Sequence, residues 1–125
     1  MEYLWVGIGG FFGANARYAM TRLAVDRFGP NYPWGTFLIN LAGAFLIGVV
    51  LTIITDRAIA DPFWRQVIVV GFLGGFTTFS AYTFEAIALA QRGDWGAAGF
   101  YVLGSNVLGL VACLAGIGLA RSLGL

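Results

Sequence analysis

Four long stretches of this chain are almost free of charge, and nothing else in it constrains the fold as tightly. They cover roughly residues 3–23, 34–55, 66–91 and 95–120, and the only charged side chains inside them are Arg17, Arg22 and Glu85. A bilayer core about 30 Å thick is crossed by roughly 20 apolar residues in an α-helix, and a helix satisfies its backbone N–H and C=O groups from within. The pattern predicts an all-α membrane protein with four transmembrane helices, forming a single domain over residues 1–125. Only 10% of the 125 residues are charged, against about a quarter in a soluble domain, so no soluble domain is expected beside the helices. The opening MEYLWVGIGG carries an acid where a secretory leader has a basic stretch, so the first segment is expected to be retained as a crossing.

The connections are short. DRFGPNYP and DRAIADPF combine charges, turn formers and Pro, and the third is little more than RGD; consecutive helices must then run antiparallel. Trp5, Tyr32, Trp34, Trp64 and Trp95 fall near helix ends, where amphipathic rings favour the headgroup region of a lipid bilayer. Orientation ordinarily follows the basic residues. Here Arg57, Arg65 and Arg121 lie on the side of the N-terminus and Arg22, Arg27 and Arg92 on the other, with Arg17 too deep to vote. A chain without bias is expected to insert in both orientations, and two copies of opposite sense pair about an axis in the membrane plane as an inverted repeat. Small residues suited to close helix contact, among them Gly10, Gly13, Gly43, Gly48, Ala112, Gly116 and Ala120, would let such backbones approach.

Composition excludes several functions. A net charge of +1 without a basic run offers neither a nucleic-acid groove nor a polybasic lipid patch. Cys113 is the only cysteine and there is no His, so disulfide frameworks and His/Cys metal sites are out, and Cys113 reads as a packing residue. Without paired carboxylates or an activated nucleophile, no enzyme is expected.

Function should then reside in the polar groups inside the helices. The third segment, VGFLGGFTTFSAYTFEAIA, places Gly71, Gly74 and Gly75 ahead of Thr77, Thr78 and Ser80. Paired Gly weakens a helix and hydroxyls compete for its backbone bonds, so a break near the centre is expected, with freed carbonyls able to hold a cation. Beyond it Thr78, Tyr82 and Glu85 follow i, i+4, i+7 spacing and share a stripe, with Phe79 beside them. The second segment has Asn40, with Thr36 and Gly43 on its face; its amide can donate to an anion or bridge helices. In the fourth, Tyr101 and Ser105 lie one turn apart with Asn106 adjacent. Neutral donors and the electropositive edges of Phe rings suit a small anion, although the residues alone do not choose among small solutes.

The segments GGFFGANARY (9–18), GTFLINLAGAFLIG (35–48) and GFLGGFTTFSAYTFE (71–85) resemble the signature regions of the Fluc/CrcB family of bacterial fluoride channels, and the resemblance runs over the whole chain. It implies an antiparallel dual-topology homodimer in the bacterial plasma (inner) membrane, multi-pass, with two pathways for passive fluoride efflux from the cytoplasm. It also implies a central structural sodium ion (Na+) held by the backbone carbonyls of Gly74 and Thr77. By position, the pore Asn is Asn40, the first pore aromatic Phe79 and the following hydroxyl Ser80, while Thr78, Glu85, Tyr101 and Ser105 match further polar positions of the pathway. The second pore aromatic, usually Phe in that family, is Tyr82 here, whose hydroxyl is expected to bond the ion or Glu85. Arg17 matches an Arg of the first-helix motif and is expected at an aqueous vestibule or a helix terminus. The main alternative is a small dual-topology multidrug/cation antiporter, which would need a carboxylate in the first segment, where residues 3–23 have none. A further alternative is an assembly subunit whose polar residues only join helices.

Overall fold

The computed structural model describes residues 1–125 throughout, all helix and connection, with no strand. Helix α1 is Glu2–Phe28 and α2 is Trp34–Asp56. The third segment, Pro62–Gln91, is composite: a short turn α3 (Pro62–Trp64), a π-helical stretch (Arg65–Leu73), a second turn α4 (Gly74–Phe76) and, after a break at residues 77–78, α5 (Phe79–Gln91). Helix α6 is Trp95–Ser122.

Two helix ends differ by more than two residues from the sequence expectation, each for a local reason. The charges at Arg22, Asp26 and Arg27 end the apolar run near residue 23, but α1 continues to Phe28. It stops at Gly29, whose φ of 81° suits glycine and whose N–H donates to the Val25 carbonyl. The third segment begins at Pro62, four residues before the expected Gln66. Asp61 accepts from the Phe63 N–H at 2.9 Å, and Pro at the first helical position loses no bond the helix would have made. Asp-Pro is thus a helix start inside what reads as loop.

Helix α2, the third segment and α6 are each long and apolar enough to cross a membrane, with mean hydropathies of 2.5, 1.6 and 2.0 over an 18-residue stretch of each. Helix α1 has the length, 27 residues, but Asn15, Arg17 and the charges of its last turns dilute its apolar run.

Packing rests on backbone contact. Helix α2 lies along α6, and α1 lies along the π-helical stretch and α4. At the first interface Gly48 faces the Cys113 carbonyl and Gly116 faces the Phe45 carbonyl. At the second, a Cβ on Gly71 would stand 2.7 Å from the Val6 carbonyl oxygen and 2.9 Å from the Gly9 Cα, so both interfaces exist because those positions lack side chains. Phe37, Ala86, Leu89, Ala98 and Tyr101 form an apolar cluster roofed by Tyr32 and Trp34. Only 20 of 125 residues are buried, and large apolar side chains such as Phe11, Leu110 and Leu114 face outward. Such an exterior is built for lipid or another apolar surface, not for water.

Candidate functional site

The break in the third segment organises the polar residues around it. The last helical turn closes when the Thr77 N–H and Oγ1 both donate to the Leu73 carbonyl, at 3.0 and 2.9 Å. Thr77 and Thr78 are then extended, with ψ of 158° and 119°. Thr78 cannot complete helix bonds in that conformation, and Asn40 of α2 supplies both replacements. Its Oδ1 accepts from the Thr78 N–H at 2.9 Å and its Nδ2 donates to the Thr78 carbonyl at 3.0 Å. One side-chain amide thus satisfies both backbone groups of Thr78 at a depth where orphaned ones would be costly. The Thr78 hydroxyl caps the new helix by accepting from the Ala81 N–H at 3.2 Å and meets the Ser80 hydroxyl at 3.3 Å.

Carbonyls are left over. Diverting the Thr78 N–H to Asn40 deprives the Gly74 carbonyl of its helical partner, and the Thr77 carbonyl accepts no backbone hydrogen bond. Gly74 is exposed on the outside of the chain. With Asn40 and Gly43, both residues line a cleft of about 260 Å³ between α2 and the third segment. The intervening Gly75 carbonyl accepts from Arg17 Nε at 3.1 Å, which sets a cation at the carbonyl end of α4, where the backbone is electronegative.

Beyond the break the expected stripe divides. Phe79 projects outward, 76% exposed, and Ser80 is exposed beside it. The Phe79, Tyr82 and Tyr101 rings form a row, with centroids 5.7 Å apart for the first pair and 5.3 Å for the second. Glu85 is held at both oxygens: Thr36 Oγ1 donates to Oε1 at 2.9 Å and Tyr101 Oη donates to Oε2 at 2.8 Å. Tyr82 does not bond Glu85. Its Oη instead receives a hydrogen bond from Asn106 Nδ2 at 2.7 Å. Ser105 Oγ is buried without a hydrogen-bond partner.

The structure therefore joins Asn40 to Thr78, Thr78 to Ser80, Glu85 to Tyr101, Phe79 to Tyr82 and Tyr82 to Tyr101. Arg17, Gly74 and Thr77 gather at the break, and Ser105 stands alone. Two participants, Thr36 and Asn106, read in the sequence as neighbours of site residues and not as members of the site themselves. Thr36 lies one turn before Asn40 on the same face, a spacing that was a usable signal. The direction of the Asn106 amide had none, since it depends on where α6 meets α5.

Chains of known relationship fit this architecture. The family model described as CrcB-like protein, Camphor Resistance (CrcB), matches residues 4–117. The chain is 45% identical over 122 residues to the fluoride-specific ion channel FluC of Koribacter versatilis, covering 98% of this chain and 97% of the relative. It is 43% identical over 123 residues to the FluC of a Roseiflexus species, covering 98% and 99%, and 43% identical over 117 residues to that of Acidobacterium capsulatum, covering 94% of each. With three apolar helices that can cross a bilayer and relatives matched end to end, this is a multi-pass bacterial membrane protein, and it belongs to the CrcB-like family.

Proposed function

We propose that the chain is a fluoride-selective channel that gives passive fluoride efflux across the bacterial inner membrane, acting as an antiparallel dual-topology homodimer in which α1 is a fourth crossing. The observation that carries the reading is the end-to-end match to relatives named as fluoride-specific channels, on a chain whose polar residues converge at one helix break. Fluoride is compact and tightly hydrated, so a pathway must replace its hydration at several stations without binding it too firmly to leave. The hydroxyls of Thr78 and Ser80, the outward edge of Phe79, Tyr82 and the unpartnered Ser105 Oγ supply neutral donors along α5 and α6. The first-turn N–H groups of α5 add the positive end of a helix. Asn40 contributes by holding the break open.

A structural sodium ion fits the carbonyls left over at the break. Gly74 and Thr77 present oxygens without hydrogen-bond partners, one on the outside of the chain, and hard cations prefer such oxygen donors. A bound sodium would neutralise the converging carbonyl dipoles of two copies and tie their breaks together. Arg17, engaged with Gly75, would keep that third carbonyl out of the ligand set. The multidrug antiporter gains no support: the one carboxylate inside the apolar segments, Glu85, already accepts at both oxygens.

Purified protein in potassium-fluoride-loaded liposomes tests the proposal. With valinomycin carrying the counter-current, a fluoride electrode should register rapid efflux with no proton gradient and little chloride movement. Absence of fluoride flux, or proton-coupled exchange of organic cations, would overturn it.

A further inference from the structure

We infer that Asn106 and Tyr82 act as one unit, in which the amide fixes the direction of the phenol proton and so presents it to the permeating anion. The inference rests on the fluoride-pathway reading above, which already counts Tyr82 among its donors, and adds a positioning residue, Asn106, that sets the direction of the Tyr82 hydroxyl.

Hydrogen-bond accounting leads there. Asn106 Nδ2 lies 2.7 Å from Tyr82 Oη and 2.8 Å from the carbonyl oxygen of Val102. The second contact settles the first. A backbone carbonyl only accepts, so the end of the amide that meets Val102 must be the NH₂ group, and the same nitrogen meets Tyr82. An amide nitrogen donates and does not accept. Tyr82 Oη is therefore the acceptor, and its own proton is turned away from Asn106.

Nothing in the chain takes that proton. Tyr82 Oη makes no second hydrogen bond, and Glu85, three residues on, has its oxygens occupied by Thr36 and Tyr101. The pair lies on the outside of the chain, so the free phenol proton is open to a guest acceptor. The Tyr82 ring stands in the row between Phe79 and Tyr101, beside the neutral donors of the proposed pathway. Fluoride, with its charge on the smallest halide, gains more from an O–H donor than chloride does, so the unit favours fluoride as well as binding it. A phenylalanine at this position would leave Asn106 its bond to Val102 but no phenol proton to direct.

Four proteins test this in the same liposome assay: wild type, Tyr82→Phe, Asn106→Leu and the double variant. Loss of one charge-assisted donor should slow fluoride efflux by about tenfold in each single variant, and the double variant should be no slower than Tyr82→Phe. A purely structural role for Asn106 would slow efflux equally with and without the Tyr82 hydroxyl, and that outcome overturns the inference, as does wild-type flux in either single variant. Asn106→Asp guards against misfolding: nearly the same size, it offers an acceptor that captures the phenol proton, and it should lose flux with elution volume and helical content unchanged. Wild-type efflux at full rate in Asn106→Asp would also sink the idea. Absence of fluoride efflux in the wild type refutes the channel reading itself, whereas silent or additive variants of a conducting wild type refute only the paired unit.

Discussion

Amides and hydroxyls inside apolar helices have few partners to choose from, so each one found paired or unpaired is informative. For Asn40 the residue type leaves open an ion donor or a helix bridge. The structure spends both ends of its amide on Thr78, 38 positions away, a partner visible only once the break is in place. Tyr32 is the opposite case. It lies in the connection between α1 and α2, its ring against Trp34 and Tyr101 at 4.7 and 5.5 Å, and its hydroxyl is buried with no partner. Removing an unsatisfied buried hydroxyl is worth about 1 kcal/mol, so Tyr32→Phe is expected to raise the thermal midpoint in detergent. Burial also pushes the Tyr32 pKa from 10.0 up to about 12. The unfolded chain loses that proton first, so the folded state binds more protons between those values and wild-type stability falls as pH rises through them. The advantage of Tyr32→Phe should therefore be present at neutral pH and widen above about pH 10. Thermal melts showing no advantage, or one that stays flat into the alkaline range, would mean that the hydroxyl is solvated.

At the scale of elements, the paired glycines and hydroxyls of the third segment announce a break near its centre, and the structure sets it among the hydroxyls. The helix survives Gly74 and Gly75 and parts at Thr77 and Thr78. Gly75 serves packing instead: a Cβ there would meet the Gly10 carbonyl oxygen at 3.0 Å. The break was legible because paired Gly followed closely by several hydroxyl residues weakens a helix locally. Its position was not, because Asn40 on another helix chooses which peptide leaves the ladder. The π-helical stretch was hidden altogether, since residues 67–73 are uniformly uncharged and offer no polar face from which a period could be read. Helix α1 sits against that stretch through Gly9 and Gly13. A Cβ on Gly13 would run into the Phe72 carbonyl and stand 3.0 Å from the Phe76 N, and neither backbone atom can rotate aside. Gly13→Ala should cost about 2 kcal/mol or more and pull Arg17, one turn further along, away from Gly75. Gly118→Ala, with nothing within 4 Å, should be neutral or slightly stabilising through helix propensity alone. Thermal unfolding of the two variants separates them, and equal melting temperatures would show that α1 does not depend on backbone contact.

At the scale of the whole molecule, one chain leaves most of its apolar surface uncovered; only 6% of the apolar 18-residue stretch of α6 is buried. Its arginines give no instruction about orientation, and the proposed dimer turns that silence into a requirement, because both orientations must be present for a complete unit. The balance is easily upset. Arg22 and Arg27 are exposed and form no salt bridge, so Arg22→Gln with Arg27→Gln should leave the fold intact. It would leave Arg92 alone on its side against Arg57, Arg65 and Arg121 on the other. Basic residues collect in the cytoplasm, so this variant is expected to insert with both termini inside and, expressed alone, to lose fluoride efflux. Arg57→Gln with Arg65→Gln biases the chain the other way and should be equally inactive alone. Co-expression supplies one chain of each sense and should restore flux, while an impermeant label on a C-terminal tag should reach about half of the wild-type chains, in keeping with a three-to-three arginine count. Full flux from either biased variant alone, or a wild-type tag found on one face only, would show that a single orientation suffices.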